Sequence, residues 1–268
     1  MSGVINSIIH DDVLEGIKQI PDNTVSLIFT SPPYNVGIKY GNHEDTMKYS
    51  DYLEWLKSIW KECYRVLRPG GRLVINIDSM VNHEETREAK KVDHTNRIYF
   101  RPIYADLVNM NEDIGYNFRC DIAWFKHQVV GRATAWGSYK SCSNPIVRRN
   151  HEYLLVWNKG PWQLKPTEKD SKSDLTKEEF ESWTMSHWFI QPETRKLGGH
   201  DVPFPEKLAK RVIKLYSYPG DVVLDVFSGT GTTSKVAHVL GRKYIGIDNH
   251  LESVEYSRRR IKATAECF

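Results

Sequence analysis

The apolar residues of this chain gather into short, nearly continuous runs at 25–29, 73–77, 222–226 and 244–247. A strand that is hydrophobic at almost every position is buried on both faces, and a parallel sheet covered by helices provides that burial. Between the runs the spacing becomes helical. From 51 to 67 the apolar positions are Tyr52, Leu53, Leu56, Ile59, Trp60, Cys63, Val66 and Leu67. That spacing predicts a helix capped by Ser50 and stopped by Pro69-Gly70-Gly71. Further strands are predicted at 4–9, 120–125 and 152–157, and further helices at 13–20, 102–110 and 205–216. A helix is also expected after each of the last two strands. Repeated strand–helix alternation predicts an α/β fold. Residues 79–100 are polar and read as a loop.

At 268 residues, 40% hydrophobic and 26% charged, the chain is long enough for one large domain with an insert and too apolar for general disorder. Its net charge is only +3, so any basic surface must be local. The four cysteines, Cys63, Cys120, Cys142 and Cys267, form no CxxC pair. They suggest buried thiols in a reducing compartment rather than zinc ligands or disulfides. His43, His83 and His94 lack ligand spacing, and no metal is expected. The first ten residues hold no secretion pattern, and no stretch approaches the roughly 18 apolar residues of a membrane span. A soluble cytoplasmic protein is expected.

The run at 25–29 feeds directly into Thr30-Ser31-Pro32-Pro33-Tyr34-Asn35. Proline fixes φ, lacks an N–H and restricts its predecessor. The carbonyls of this corner should therefore be held rigidly and left unpaired. Such a corner can accept hydrogen bonds from an amino group while a flat ring stacks on Tyr34, which fits a nucleobase turned out of its stack. A tight Pro-Pro turn closing a strand is the plainer reading of the same residues.

The second motif, Asp225-Val226-Phe227-Ser228-Gly229-Thr230-Gly231-Thr232-Thr233, lies between a strand and a helix, where open α/β sheets bind ligands. Gly229 and Gly231 permit a sharp turn and close approach of a ligand. Asp248 ends the next strand, where a carboxylate can hold ribose hydroxyls. A dinucleotide site competes with this reading. Against it, Ser234 stands where a third glycine would be, and Asp225 would repel a pyrophosphate. S-adenosylmethionine, with a ribose and a cationic amino end, suits these residues better.

Together the two motifs resemble those of the DNA amino-methyltransferases of the permuted β group. In that family an S/D-P-P-Y motif precedes the cofactor motif, as Ser31-Pro32-Pro33-Tyr34 precedes Asp225 to Thr233 here. The family's D-P-F-x-G-S-G-T-T is matched with Val226 for Pro and Thr230 for Ser. His200-Asp201-Val202-Pro203-Phe204-Pro205-Glu206 is similar to its H-P-A-P-F-P-E segment. Asp12-Val13-Leu14-Glu15 is similar to G-D-x-L-E, with Asp11 replacing the glycine. Arg65-Val66-Leu67-Arg68-Pro69-Gly70-Gly71 and His151-Glu152-Tyr153-Leu154-Leu155 also follow the pattern.

This resemblance implies a Rossmann-like, circularly permuted fold with a mostly parallel seven-stranded sheet and one antiparallel strand. It implies S-adenosyl-L-methionine as cofactor, held by Asp12 (near the adenine amine), Thr30, His200, Phe204, Asp225, Phe227, Ser228, Gly229, Thr230, Gly231, Thr232, Thr233 and Asp248. Ser31 Oγ and the Pro32 carbonyl would accept from the target amine, and Tyr34 would stack on the base. Residues 1–159 would form the catalytic part, 160–199 a target-recognition insert and 200–268 the cofactor part. The basic, aromatic connection 126–150 would face double-stranded DNA through Lys126, Arg132, Lys140, Arg148 and Arg149, with Lys165, Lys169, Lys172, Arg195 and Lys196 as further contacts. Arg258, Arg259 and Arg260 read as a solvated helix face.

No Pro-Cys pair occurs, which disfavours methylation at ring carbon. Serine before Pro-Pro-Tyr goes mostly with cytosine N4 in this family, so cytosine N4 is expected, with adenine N6 as the alternative. A DNA-binding protein that has lost methyl transfer is the non-enzymatic alternative. A separate restriction endonuclease and a homodimer are compatible partners.

Overall fold

The computed structural model describes residues 3–35, 47–82, 100–126, 149–168, 171–193 and 204–265. Within them, strands β1 (Ser7–His10), β2 (Val25–Thr30), β3 (Leu67–Ile77), β6 (Tyr116–Phe125), β7 (His151–Lys159), β8 (His187–Phe189), β9 (Val222–Asp225) and β10 (Lys243–Asp248) form one sheet. Their order is β1-β10-β9-β2-β3-β7-β6-β8. Only β7 runs against its neighbours, β3 and β6; the other pairs are parallel. Val81–Asn82 and Phe100–Arg101, β4 and β5, pair separately within the stretch expected to be a loop.

Helices α1 (Val13–Lys18), α2 (Tyr49–Val66) and α3 (Ile103–Ile114) cover one face of the sheet. Helices α5 (Glu206–Tyr216), α6 (Thr232–Val239) and α7 (Leu251–Ala265) cover the other. All six residues of β2 are consequently buried, as its continuous apolar run requires.

Two local expectations fail at α2. The helix starts at Tyr49 after Lys48, and Ser50 Oγ bonds Asp51 inside the first turn rather than capping a free N–H. It ends at Val66 because Leu67 is already extended, so Pro69-Gly70-Gly71 lies within β3. There it shifts the register with β2 between the pairs Val25↔Leu67 and Leu27↔Arg72.

The segment expected as a substrate-facing insert divides in two. Its first half, 161–168 and 171–175, crosses the amino ends of the parallel strands. Trp162 O accepts from Arg72 (2.9 Å), and Thr167 Oγ1 donates to Asp221 Oδ1 (2.5 Å). Ser171 Oγ donates to Pro219 O (3.0 Å), and Asp174 takes both terminal nitrogens of Arg242 (2.7 and 2.8 Å). Lys165, expected to contact DNA, instead receives Arg68 on its carbonyl at this far edge.

The second half carries helix α4 (Lys177–Trp183), opened by a Thr176–Glu179 capping box, and strand β8. Trp188, 1% exposed, and the pairing of Phe189 with Phe125 fix β8 to the edge of β6. This is an eighth strand where seven were expected. It is three residues long, set by tertiary burial of one tryptophan and so invisible to periodicity.

Candidate active site

The chain winds outward from β2 to β3 in one direction and from β9 to β10 in the other. The crevice at such a reversal of strand order, beyond the carboxyl ends, is where open α/β sheets hold ligands. Both sequence motifs end there. Thr30, the last residue of β2, donates from Oγ1 to Asp225 Oδ1 of β9 at 2.7 Å, across 195 residues of chain. Thr233 Oγ1 donates to the other oxygen at 2.7 Å, and Phe227 N reaches Oδ1 at 3.1 Å.

Asp225 is thus committed to protein donors and buried. Burial pushes its carboxyl up to about 6, against the lowering effect of Thr30 and Thr233. The sequence suggested that it faces the ligand; the structure makes it the brace that locks the two motif corners together.

The glycine turn rises from this brace. Gly229 (φ 49) and Gly231 (φ 76) both adopt left-handed backbone, and a Cβ on Gly231 would lie 1.9 Å from Ser257 Oγ of α7. Asp248, at the tip of β10, accepts Gly229 N on Oδ2 (2.7 Å) and His250 N on Oδ1 (2.9 Å). Each oxygen retains acceptor capacity for a hydroxyl. Asp12 caps α1 by accepting Leu14 N (2.9 Å), at the tip of β1 next to β10. Phe227 packs 5.7 Å from Trp55, and Phe204 packs 4.9 Å from Phe29. Ser228 Oγ is buried over Gly246 of β10, 2.5 Å from where a Cβ there would stand, and has no partner among the described residues. These residues fit S-adenosylmethionine: carboxylates at two neighbouring strand tips for hydroxyls and an amine, apolar rings, and a glycine turn. His200 lies outside the described residues.

Thr230 and Thr232 are held from behind. Arg260 donates to Thr230 O (3.2 Å) and Thr232 Oγ1 (3.1 Å) and pairs with Glu206 at 2.5 Å. Arg258 donates to Ile8 O at 2.6 Å. Arg258 and Arg259 are exposed, as expected of a solvated face, whereas Arg260 is half-buried; long side chains let Arg258 and Arg260 reach partners that the sequence separates widely.

At the proline corner, Ser31 Oγ donates to Asn76 O (3.2 Å). The Pro33 carbonyl, expected to be unpaired, accepts from Tyr52 Oη (2.7 Å). Asn35 sits at φ 55 and braces the loop through two 2.8 Å bonds to the Met47 backbone. Asn76, a polar residue in an apolar strand, donates from Nδ2 to Glu152 Oε2 (2.8 Å) and lies 3.5 Å from Tyr34 Oη. Sequence reasoning missed Asn76, and its isolated polarity within an apolar run is the signal that could have found it.

Of the residues expected to touch DNA, Lys126 pairs with Glu152 and Arg149 with Asp78 (3.0 Å). Both hold together the strand tips beside the corner instead of standing free. Arg132, Lys140 and Arg148 lie outside the described residues. Next to Lys126, Phe125 stacks 5.2 Å from Phe189 and lies 5.2 Å from His151. Phe189 is exposed.

Comparison with known proteins adds an independent line. A family described as DNA methylase, covering N6 and N4 enzymes, matches residues 25–259. The type II methyltransferase M.MjaVI of Methanocaldococcus jannaschii is 37% identical over 71% of this chain and 88% of its own length. The DNA adenine methyltransferase YhdJ of Escherichia coli K12 is 28% identical, over 95% of this chain and 82% of its own. Among solved structures, TTHA0409 of Thermus thermophilus, complexed with S-adenosyl-L-methionine, aligns with a TM-score of 0.76 and 30% identity. That alignment covers 98% of this chain and 96% of the other. The cytosine-N4-specific PvuII DNA methyltransferase shares the fold, with a TM-score of 0.70, 20% identity and coverage of 97% and 90%.

Proposed function

Since the chain belongs to this DNA methylase family, we propose that its target is the exocyclic N4 of a cytosine turned out of duplex DNA. The coarser activity is that of an S-adenosylmethionine-dependent DNA amino-methyltransferase. The observation that carries the methyl-transfer reading is the Thr30–Asp225 bond. It sets the serine of the proline corner beside the turn expected to hold the methyl donor.

When bound, S-adenosylmethionine supplies an already activated methyl group, so the chain's task is alignment more than activation. Asp248 and Asp12 would hold hydroxyls and the adenine amine, with Phe227 and Phe204 as apolar walls. An exocyclic amine is a weak nucleophile because its lone pair is delocalised into the ring. Acceptors placed on its hydrogens localise that pair and take up the positive charge that develops. The Ser31 proton is directed at Asn76 O, which leaves the hydroxyl's lone pairs to accept. The Pro32 carbonyl is the second acceptor in this reading. Tyr34 would stack on the base and offset part of the unstacking cost, a few kcal/mol.

The choice of cytosine rests on the neutral hydroxyl at Ser31, where the adenine enzymes of this family mostly have an Asp or Asn. YhdJ is named for adenine and PvuII for cytosine N4, so the comparison leaves both amines open. DNA approach along the carboxyl edge is supported by Phe125, His151 and the exposed Phe189, which suit base or sugar contact. Of the segment 160–199, its later half from α4 to β8 is the candidate for reading sequence.

Digesting DNA methylated by this protein to nucleosides and weighing the product tests the assignment. N4-methylcytosine is expected, and N6-methyladenine alone would transfer the assignment to adenine. Absence of any methyl transfer would favour a DNA-binding role without chemistry. A cognate endonuclease and pairing of two copies belong to the same proposal; sedimentation of the purified protein with and without DNA tests the pairing.

A further inference from the structure

Beside the proline corner, four side chains from three neighbouring strands are joined laterally, and none of them belongs to the two motifs. Asn76 of β3 sits at the centre and is 3% exposed. Its backbone carbonyl takes the Ser31 hydroxyl, and its amide nitrogen faces Tyr34 Oη and the Glu152 carboxylate of β7. Glu152 in turn pairs with Lys126 at the end of β6. The Lys126 ammonium lies 4.9 Å from the centre of the Trp124 ring, whose Nε1 donates to Ile190 O at 2.8 Å.

The Asn76 side-chain oxygen, Oδ1, is buried and has no partner among the described residues. A buried acceptor left unmet carries the full cost of its lost hydration. Turning the amide over would not relieve it, because Oδ1 would then face the Glu152 carboxylate. The carboxylate therefore dictates which way the amide points. An orientation kept at that cost, next to the serine and tyrosine of the corner, indicates a positional demand rather than packing alone.

We infer that Glu152 is a positioning residue for methyl transfer: through the Asn76 side-chain amide it sets Tyr34 beside Ser31, whose hydroxyl rests on the Asn76 backbone carbonyl, and Lys126 holds Glu152 in place. The inference rests on the DNA methyltransferase reading and names a residue class that reading does not require. Glu152 does not touch the base or cofactor in this scheme. Its loss should therefore degrade alignment and leave cofactor binding alone.

The test compares wild type, Glu152→Ala, Glu152→Gln and Lys126→Met in single-turnover methyl transfer to duplex DNA. Cofactor affinity is measured on the same preparations by calorimetry. Glu152→Ala is expected to slow transfer roughly 10- to 100-fold, the scale of a misplacement of about 1 Å, with cofactor affinity within about twofold of wild type. Glu152→Gln keeps an acceptor for the Asn76 amide and should recover much of the rate. Lys126→Met should fall between them. Equal rates for wild type and Glu152→Ala overturn the inference. So does a loss of cofactor affinity that parallels the loss of rate, which marks a general structural role. If Glu152→Ala does not fold, Glu152→Gln and Lys126→Met decide by the same criteria. A wild-type protein that transfers no methyl group to DNA fails the activity itself, a result separable from an active wild type with unimpaired variants.

Discussion

At the scale of single residues, the site depends on where two protons and one charge reside. Ser31 can serve as an acceptor because its own proton is occupied on Asn76 O. Ser31→Ala should lower the rate of methyl transfer by about 100-fold, the order seen when one preorganised polar partner is removed, while calorimetry finds cofactor affinity unchanged. Asp225 gives a pH signature. Its folded value of about 6 lies above the unfolded carboxylate value of about 3.9, so folding favours the protonated form. The stabilisation from that proton is complete below about pH 4 and is lost as pH rises through about 6. Urea denaturation of wild type and Asp225→Asn should show the wild type losing about 2 kcal/mol relative to the variant between pH 4 and 7. A difference that does not change with pH would refute this account. The residue scale is also where the sequence is most and least informative. The proline corner and glycine turn are contiguous patterns and can be read directly. Pairing of Lys126 with Glu152, or Arg260 with Glu206, spans 26 and 54 positions and leaves no local trace.

At the scale of elements, strands buried on both faces are legible because their apolar runs have few other uses. The far-edge strap is not, since its residues are polar and bind through backbone carbonyls and long side chains. Gly70 reports on it. At φ 78, a Cβ there would stand 2.3 Å from Gln163 O, a backbone atom of the strap. Gly160 has a similar φ of 63 and nothing within 4 Å. Both alanine variants carry the cost of left-handed backbone, roughly 1–2 kcal/mol, but Gly70→Ala must also displace the strap. Chemical denaturation should therefore rank Gly70→Ala clearly below Gly160→Ala in stability; equal values would mean the strap yields freely. The fate of Pro69-Gly70-Gly71 has the same origin. Turn chemistry predicts a stop, yet pairing with β2 extends the strand through it.

For the whole molecule, the order of motifs along the chain is separable from their arrangement in space. β2 and β9 are neighbours because of sheet pairing, and α7 lies against β1, with Arg258 bonded to Ile8 O. A permuted chain that links residues 265 and 3 and opens between Glu193 and Phe204 would present the glycine turn before the proline corner. It should bind S-adenosylmethionine with near wild-type affinity; failure to fold would show that chain order directs assembly. No helix among the described residues is long and apolar enough to cross a membrane.

The single reversed strand has a consequence of its own. Because β7 points the other way, its first residue, His151, pairs with Phe125, the last of β6, and Lys126 N still bonds Asn150 O at 2.9 Å. Exit and re-entry of the polypeptide are thus side by side on the edge proposed above to face DNA. Closing a loop across such a gap costs only about 0.6 kcal/mol more for each doubling of its length. The connection can therefore be lengthened or shortened while every pairing in the scaffold beneath stays as it is.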